Sequence, residues 1–293
     1  MTIRAITYVG DREGGKPAPP EMARIRAEMD TRGERLPVDV CVVAEPAGPG
    51  KSEWVMPVGT SAHLSAILFL HGSGYSKGSP TSHRPLVARI VAETGVAALS
   101  LDYRLAPEHR FPAPLDDALA AYRGLLDTHP PEQLAVIGDS AGGGLAIALL
   151  LAAKDQGLPL PACAVTLSAW TDLAVTGAAL PEVDDPIVTQ DLLRSAAALY
   201  LDGADPSHPY ASPLYGDLTD LPPLLMQVGG REIMQEDTRR LADKARAAGV
   251  AVQMRVYPDM PHVFPLRLPD DVQSTEAIAE IGAFVADHLA PHP

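Results

Sequence analysis

The chain has 293 residues, 46% of them hydrophobic and 20% charged, which is enough apolar material for one large α/β domain with insertions, or for two small domains, and leaves no reason to expect extended disorder. Against 23 Lys and Arg stand 37 Asp and Glu, so the formal net charge is −14. An acidic surface with no offsetting basic run repels phosphate backbones and anionic headgroups, and this argues against nucleic-acid binding.

In chain order, Pro19 and Pro20 precede EMARIRAEMDTR, and Gly33 follows it. Met22, Ile25 and Met29 fall on one helical face, so the spacing predicts a short amphipathic helix whose apolar stripe something else must cover. The runs VDVCVVAEP, EWVMPVG and SAILFLHG then read as strands. From there strands and helices alternate: GVAALSLDY, the helix PLDDALAAYRGLLD, LAVIGDS, the helix GGGLAIALLLAAKDQG, and ACAVTLSAW. LLMQVGG and VAVQMRVYP follow as strands, each with a helix-like segment after it. Near-continuous apolar strands separated by amphipathic helices indicate a mostly parallel sheet of about eight strands, covered on both faces. The segment 170–212, containing IVTQDLLRSAAALYLDG, interrupts this alternation after a strand's carboxyl end, where α/β sheets bind ligands. The expectation is a single domain over 1–293, with a cap formed by about 1–35 and about 170–212.

Cys41 and Cys163 lie in strand-like runs without metal-ligand spacing and read as reduced, buried thiols. The N-terminal stretch lacks an apolar signal core, and the longest strongly apolar run, 145–153, is too short to cross a bilayer. A cytoplasmic protein without membrane insertion, metal or cofactor is expected.

Gly138-Asp139-Ser140-Ala141-Gly142 is a G-x-S-x-G pattern between a predicted strand and a predicted helix. Such a turn is tight enough to need small residues beside the serine, and it lifts the hydroxyl above the sheet at a helix N-terminus. The competing reading, a glycine-rich turn with an incidental serine, lacks that flanking context. A dinucleotide loop is not supported, because no G-x-G-x-x-G opens the first strand–helix unit. Gly50-Lys51-Ser52 resembles the end of a phosphate-binding loop, but Glu45 holds the position that needs glycine. His71-Gly72-Ser73-Gly74-Tyr75 follows another strand and suits close approach of backbone N–H groups to an oxyanion, with the N–H of Ala141 as a further donor. His71 reads as a residue that orders this loop.

HGSGY-SKGSP, LDYRLAPEHRFPAPLDDA and GDSAGG, in this order over about 66–146, with LPPLLMQVGG and YPDMPHVF beyond, closely resemble the hormone-sensitive-lipase-like family of α/β hydrolases. The resemblance implies a capped α/β-hydrolase fold, esterase activity without a cofactor, and oxyanion donors at Ser73, Gly74 and Ala141. It also implies that a homodimer could form through an edge strand. Ser73 is a departure, because the family usually carries glycine there. Asp102, Tyr103, Arg104 and Glu108, in the second motif, read as a satisfied polar network.

A serine nucleophile needs a histidine and an orienting carboxylate, in the chain order Ser, acid, His for this fold. His288 and His292 lie in the C-terminal tail and His208 in the insertion, whereas His262 follows a strand's carboxyl end and matches the family position. Aligned to the family, Glu232 takes the acid's place; Asp237 is the second candidate, and its competing role is to decorate a helix's first turn. The expected activity is hydrolysis of short- to medium-chain carboxylic esters through an acyl-enzyme. The alternatives are an amide, lactone, carbamate or acetylated natural product on the same residues, or a ligand-binding receptor, which the presence of all three residues disfavours.

Overall fold

Eight strands form one sheet in the order β1-β2-β4-β3-β5-β6-β7-β8. They are β1 (Val42–Pro46), β2 (Glu53–Pro57), β3 (Ala66–Leu70), β4 (Ala97–Leu101), β5 (Leu134–Asp139), β6 (Cys163–Leu167), β7 (Leu224–Gly229) and β8 (Val252–Tyr257). β2 runs antiparallel to both β1 and β4, and every other pairing is parallel. The computed structural model describes residues 19–31, 42–46, 52–58, 64–177 and 185–289. Gly33, Cys41, Gly50, Lys51 and His292 lie outside them, as do parts of the two segments expected to form a cap.

β3 to β8 run parallel because the connections between them cross over the faces of the sheet. The connections carry α2 (Pro80–Thr94), α3 (Ala113–Leu126), α4 (Ala141–Asp155) and α6 (Met234–Ala247), and the short α7 (Phe264–Arg267) and α8 (Val272–His288) follow the last strand. Alternation along the central strands feeds two cores. Ala66, Leu68 and Leu70 of β3 pack on one face with Leu119 of α3, Leu149 of α4 and Leu241 of α6. Ile67 and Phe69 pack on the other with Ile90 of α2 and Ile281 of α8. All five β3 residues are buried, which explains the unbroken apolar run AILFL.

α2 is an element that the strand–helix reading passed over. Pro85 lies inside it, and proline removes a donor from a helix interior. Its start is nonetheless written in the sequence: Ser79 and Ser82 form a reciprocal capping box, Pro80 takes the first turn, and Gly95 ends it at φ 68°.

α1 (Pro20–Asp30) is the expected N-terminal helix with its proline start. Arg26 fastens it to the body. Its guanidinium donates to Glu108 (2.6 and 2.9 Å) and to the carbonyls of Ala106 (2.8 Å) and Ser76 (2.9 Å). Glu108 thus has the structural part expected of it, as does Tyr103, whose hydroxyl donates to the His71 carbonyl. Arg104 pairs with buried Asp117 at 2.7 Å, and the Asp102 amide donates to Ser52 Oγ. α5 (Gln190–Leu201), in the long insertion, does not stand off the sheet layers. Its Leu193, Ala197, Tyr200 and Leu201 join the core, and the Tyr200 ring stacks on Tyr75 with centroids 4.0 Å apart.

Candidate active site

The strand order places the site. The chain leaves β3 toward β4 on one side and resumes in β5 on the other, so the carboxyl ends of β3 and β5 lie side by side where the connections diverge. Leu70 is in register with Gly138, which sets His71–Tyr75 beside Asp139–Ala141.

Ser140 sits between β5 and α4 at φ 51°, ψ −121°, a strained turn for a residue with a Cβ. Small neighbours are obligatory. A Cβ on Gly138 would come within 2.2 Å of the Gly142 carbonyl oxygen, and one on Gly142 within 2.0 Å of the Leu70 carbonyl oxygen. The amide of Ser140 donates to Leu167 O (2.8 Å), and its carbonyl accepts from Trp170 N (2.9 Å), so the elbow is tied to β6 and the chain after it.

His262 lies five residues beyond the end of β8 on a loop pinned by bonds from Met260 N to Tyr257 O and from Arg231 N to Met260 O, each 3.1 Å. Its Nε2 is 2.9 Å from Ser140 Oγ, and its Nδ1 is 2.6 Å from Glu232 Oε2. Glu232, after β7, is fully buried; its other oxygen accepts from Ser168 Oγ (2.7 Å) and from the Gly229 amide. Asp237 does not face His262. Its Oδ2 accepts from the amides of Thr171 and Asp172, both at 3.0 Å, and burial pushes its carboxyl up to about 7. It therefore ties helix α6 to the loop after β6. Such a line of hydroxyl, imidazole and carboxylate can carry a proton off the serine and hold the resulting imidazolium.

Ser168 is the residue that sequence reasoning missed. At φ 53°, just past β6, it donates to Glu232 and accepts from Val263 N at 3.0 Å, so one hydroxyl braces both Glu232 and the loop carrying His262.

Ser73 and Gly74 have φ 85° and 67°. Among the described residues their amides make no hydrogen bond. The amide of Ala141 opens helix α4 and so has no intrahelical acceptor. Ser73, Gly74, Ser140 and His262 border one cavity of about 770 Å³. Ile25 and Met29 of α1, and Leu192, Leu193 and Ala196 of α5, supply apolar wall to it.

His71 is held inside its own loop. It is buried and stacked on Tyr103 (4.2 Å), with Nδ1 3.0 Å from the Gly72 carbonyl oxygen. Burial, reinforced by His83, pushes it down to about 4, so it is neutral at pH 7. His208 accepts from Tyr210 N (3.1 Å), and His288 Nδ1 lies 2.8 Å from the Phe284 carbonyl oxygen; both are structural. Among the described residues no three His, Cys, Asp or Glu side chains converge as metal ligands, and no helix is long and apolar enough to cross a membrane.

Residues 67–266 match a family described by the α/β hydrolase fold. An acetyl-hydrolase of Streptomyces hygroscopicus is 44% identical over 252 residues, covering 85% of this chain and 82% of that protein. An esterase of Acinetobacter venetianus is 33% identical over 222 residues, covering 74% and 73%. Among solved structures, an esterase from the bacterial hormone-sensitive lipase family superposes with TM-score 0.87 at 41% identity, covering 96% of this chain and 95% of that one. EstE5, soaked with p-nitrophenyl butyrate, gives TM-score 0.86 at 40% identity, with 96% of each chain covered.

Proposed function

We infer the chemistry from membership: the chain belongs to the α/β-hydrolase fold family and, within it, to the bacterial hormone-sensitive-lipase-like esterases, and it is a carboxylic ester hydrolase. In the reaction we propose, Ser140 is the nucleophile, His262 the general base and Glu232 the acid that orients it. The observation that carries this assignment is the hydrogen-bonded line from Ser140 Oγ through His262 to Glu232, at 2.9 and 2.6 Å.

Ser140 Oγ attacks the ester carbonyl carbon while His262 Nε2 takes its proton. The carbonyl oxygen becomes an oxyanion received by the amides of Ser73, Gly74 and Ala141, which among the described residues have no competing acceptor to release first. Glu232 holds Nδ1–H and balances the imidazolium. His262 then protonates the leaving alcohol, which departs and leaves an acyl-serine. Water, deprotonated by His262, hydrolyses that acyl-enzyme and returns Ser140 with its proton.

α1 and α5 act as a cap over this centre. The support is their apolar residues along the cavity and the two anchors, Arg26 and Tyr200, that hold them to the body. A cavity of this size suits short- to medium-chain acyl groups. A second reading, removal of an acetyl group from a larger compound, draws on the 44% identical acetyl-hydrolase; the alcohol or amine part would then fill the space under the cap. β8 lies at a sheet edge, and pairing of two copies there is the form of homodimer we propose. A cytoplasmic site of action is in keeping with Cys163, a free, buried thiol.

A p-nitrophenyl ester series from acetate to palmitate, run on the wild type and on Ser140→Ala, tests the assignment. Turnover that is strongest on short chains and lost in the variant supports it; activity surviving Ser140→Ala overturns it.

A further inference from the structure

Below the nucleophile lies a second carboxylate–histidine pair that the reaction just described does not use. Asp139 directly precedes Ser140 and is 1% exposed; His83, in the first turn of α2, is 2% exposed. His83 Nε2 is 3.4 Å from Asp139 Oδ2. The other Asp139 oxygen accepts from the amide of Gly72 at 3.0 Å. That amide is one residue from Ser73, as Asp139 is one residue from Ser140. A single carboxylate therefore spans the gap between the nucleophile's elbow and the loop that carries the oxyanion donors.

The carboxylate is itself held from behind. His83 Nδ1 lies 2.9 Å from Ser82 Oγ and 3.3 Å from the Ser79 carbonyl oxygen, so the ring is fixed by the capping box that starts α2. Both ring nitrogens therefore face polar partners, Nδ1 the capping box and Nε2 the Asp139 carboxylate. Burial works to raise the Asp139 carboxyl, but His83, with His71 and His262 beyond it, outweighs burial and keeps it below the usual carboxylate range. Asp139 is thus an anion at neutral pH, able to accept from both the loop amide and the imidazole.

We propose that Asp139 and His83 are positioning residues for the oxyanion loop: His83 fixes the Asp139 carboxylate, and Asp139 fixes Gly72, which sets the Ser73 and Gly74 amides at their distance from Ser140. The proposal rests on the reading of Ser140 as nucleophile and those amides as oxyanion donors. Both residues lie along the wall of the same cavity, and in this proposal they act through the loop and not on the transferred proton. The pair's effect falls on a charge that develops only in the transition state, so its loss appears in kcat while KM stays nearly constant.

Two isosteric substitutions separate this role from a merely structural one. His83→Gln places an amide donor where Nε2 stood and so keeps the contact to Asp139. His83→Asn places its polar group where Nδ1 stood, keeping the contact to Ser82 and losing Asp139. On p-nitrophenyl butyrate, His83→Gln is expected within about 3-fold of wild type, and His83→Asn to lose on the order of 10- to 100-fold in kcat, short of the roughly 10²–10³-fold that removal of a whole oxyanion donor costs. An alkyl boronic acid, which forms a tetrahedral adduct on the serine, should weaken in His83→Asn in proportion to kcat. The reverse order, with Asn active and Gln impaired, would mean that His83 serves only the helix cap and overturns the proposal. So would equal activity of both variants with wild type, or a fall confined to KM. Ser140→Ala in the same assay keeps the two readings apart: if it is inactive while both His83 variants are normal, the positioning role alone has failed, and if it is active the nucleophile has been misassigned.

Discussion

Ser168 Oγ donates to Glu232 Oε1 at 2.7 Å, using the one oxygen of that carboxylate which His262 leaves open. The same hydroxyl accepts from Val263 N, so Glu232 and the loop carrying His262 are located against one common atom. Ser168→Ala leaves a buried amide without its acceptor and the carboxylate one donor short. The cost expected is about 1–3 kcal/mol of stability, with kcat on a short ester reduced on the order of 10-fold. Denaturant unfolding and steady-state kinetics measure the two.

Glu232 and Asp237 respond differently to removal of charge. Glu232→Gln keeps the shape but no longer balances an imidazolium or selects its tautomer, and kcat should fall on the order of 10³- to 10⁴-fold. Asp237→Asn keeps an acceptor for the amides of Thr171 and Asp172 and should retain kcat within about 3-fold. Similar losses in the two variants would return Asp237 to candidacy as the acid.

Asp237 also has a signature in stability against pH. Its carboxyl is pushed by burial from 3.8 up to about 7, so between about pH 4 and 7 the native state holds a proton that the unfolded chain has released. The stability it contributes is present below pH 4 and is lost as pH rises through 7. His71, driven by burial from 6.5 down to about 4, acts in the opposite sense: its contribution is lost as pH falls from 6.5 to 4. The two slopes offset each other in the wild type. Asp237→Asn should therefore make stability rise with pH more steeply from 4 to 6.5 than it does in the wild type, as read by thermal unfolding at a series of pH values.

Ser73 occupies φ 85°, a conformation that glycine adopts more cheaply than serine. Ser73→Gly should leave stability unchanged or raise it by up to about 1 kcal/mol, with the amide donor and hence kcat retained. Ser73→Val forces a β-branched side chain into the same region and should cost about 1–3 kcal/mol. Urea unfolding of the three proteins orders them.

Tyr200 separates packing from hydrogen bonding. Its ring is 1% exposed and stacked on Tyr75, the residue after Gly74, while its hydroxyl is buried without a partner among the described residues. Tyr200→Phe removes an unsatisfied polar atom and should be neutral or stabilising. Tyr200→Ala should cost about 3–5 kcal/mol and raise KM as α5 loosens over the cavity.

Legibility in the sequence followed how local each signal is. Gly138–Gly142 and His71–Tyr75 each encode a complete turn within five residues, and their adjacency follows from one rule about parallel sheets. His262 could be chosen from chain order and from its place after a strand. Glu232 could not be told from Asp237 by chemistry, since both are acids after β7; family resemblance chose between them, and the 2.6 Å contact to His262 is a property of the folded chain. α2 escaped notice because Pro85 speaks against a helix more loudly than Ser79 and Ser82 speak for one. Ser168 and His83 carried no sequence signal, because a lone serine at a strand end and a lone histidine in a helix owe their importance to partners 64 and 56 residues away.

Ser140 and His262 are 122 residues apart in the chain, borne by β5 and β8, with β6 and β7 between them in the sheet. No local helix or hairpin can bring them together; four strands must first be laid in register, the slow, non-local part of folding. A partly folded intermediate with its helices formed and its sheet unfinished is therefore chemically silent. During refolding, ester hydrolysis reports sheet closure through β8, and its recovery should lag the recovery of helical circular dichroism.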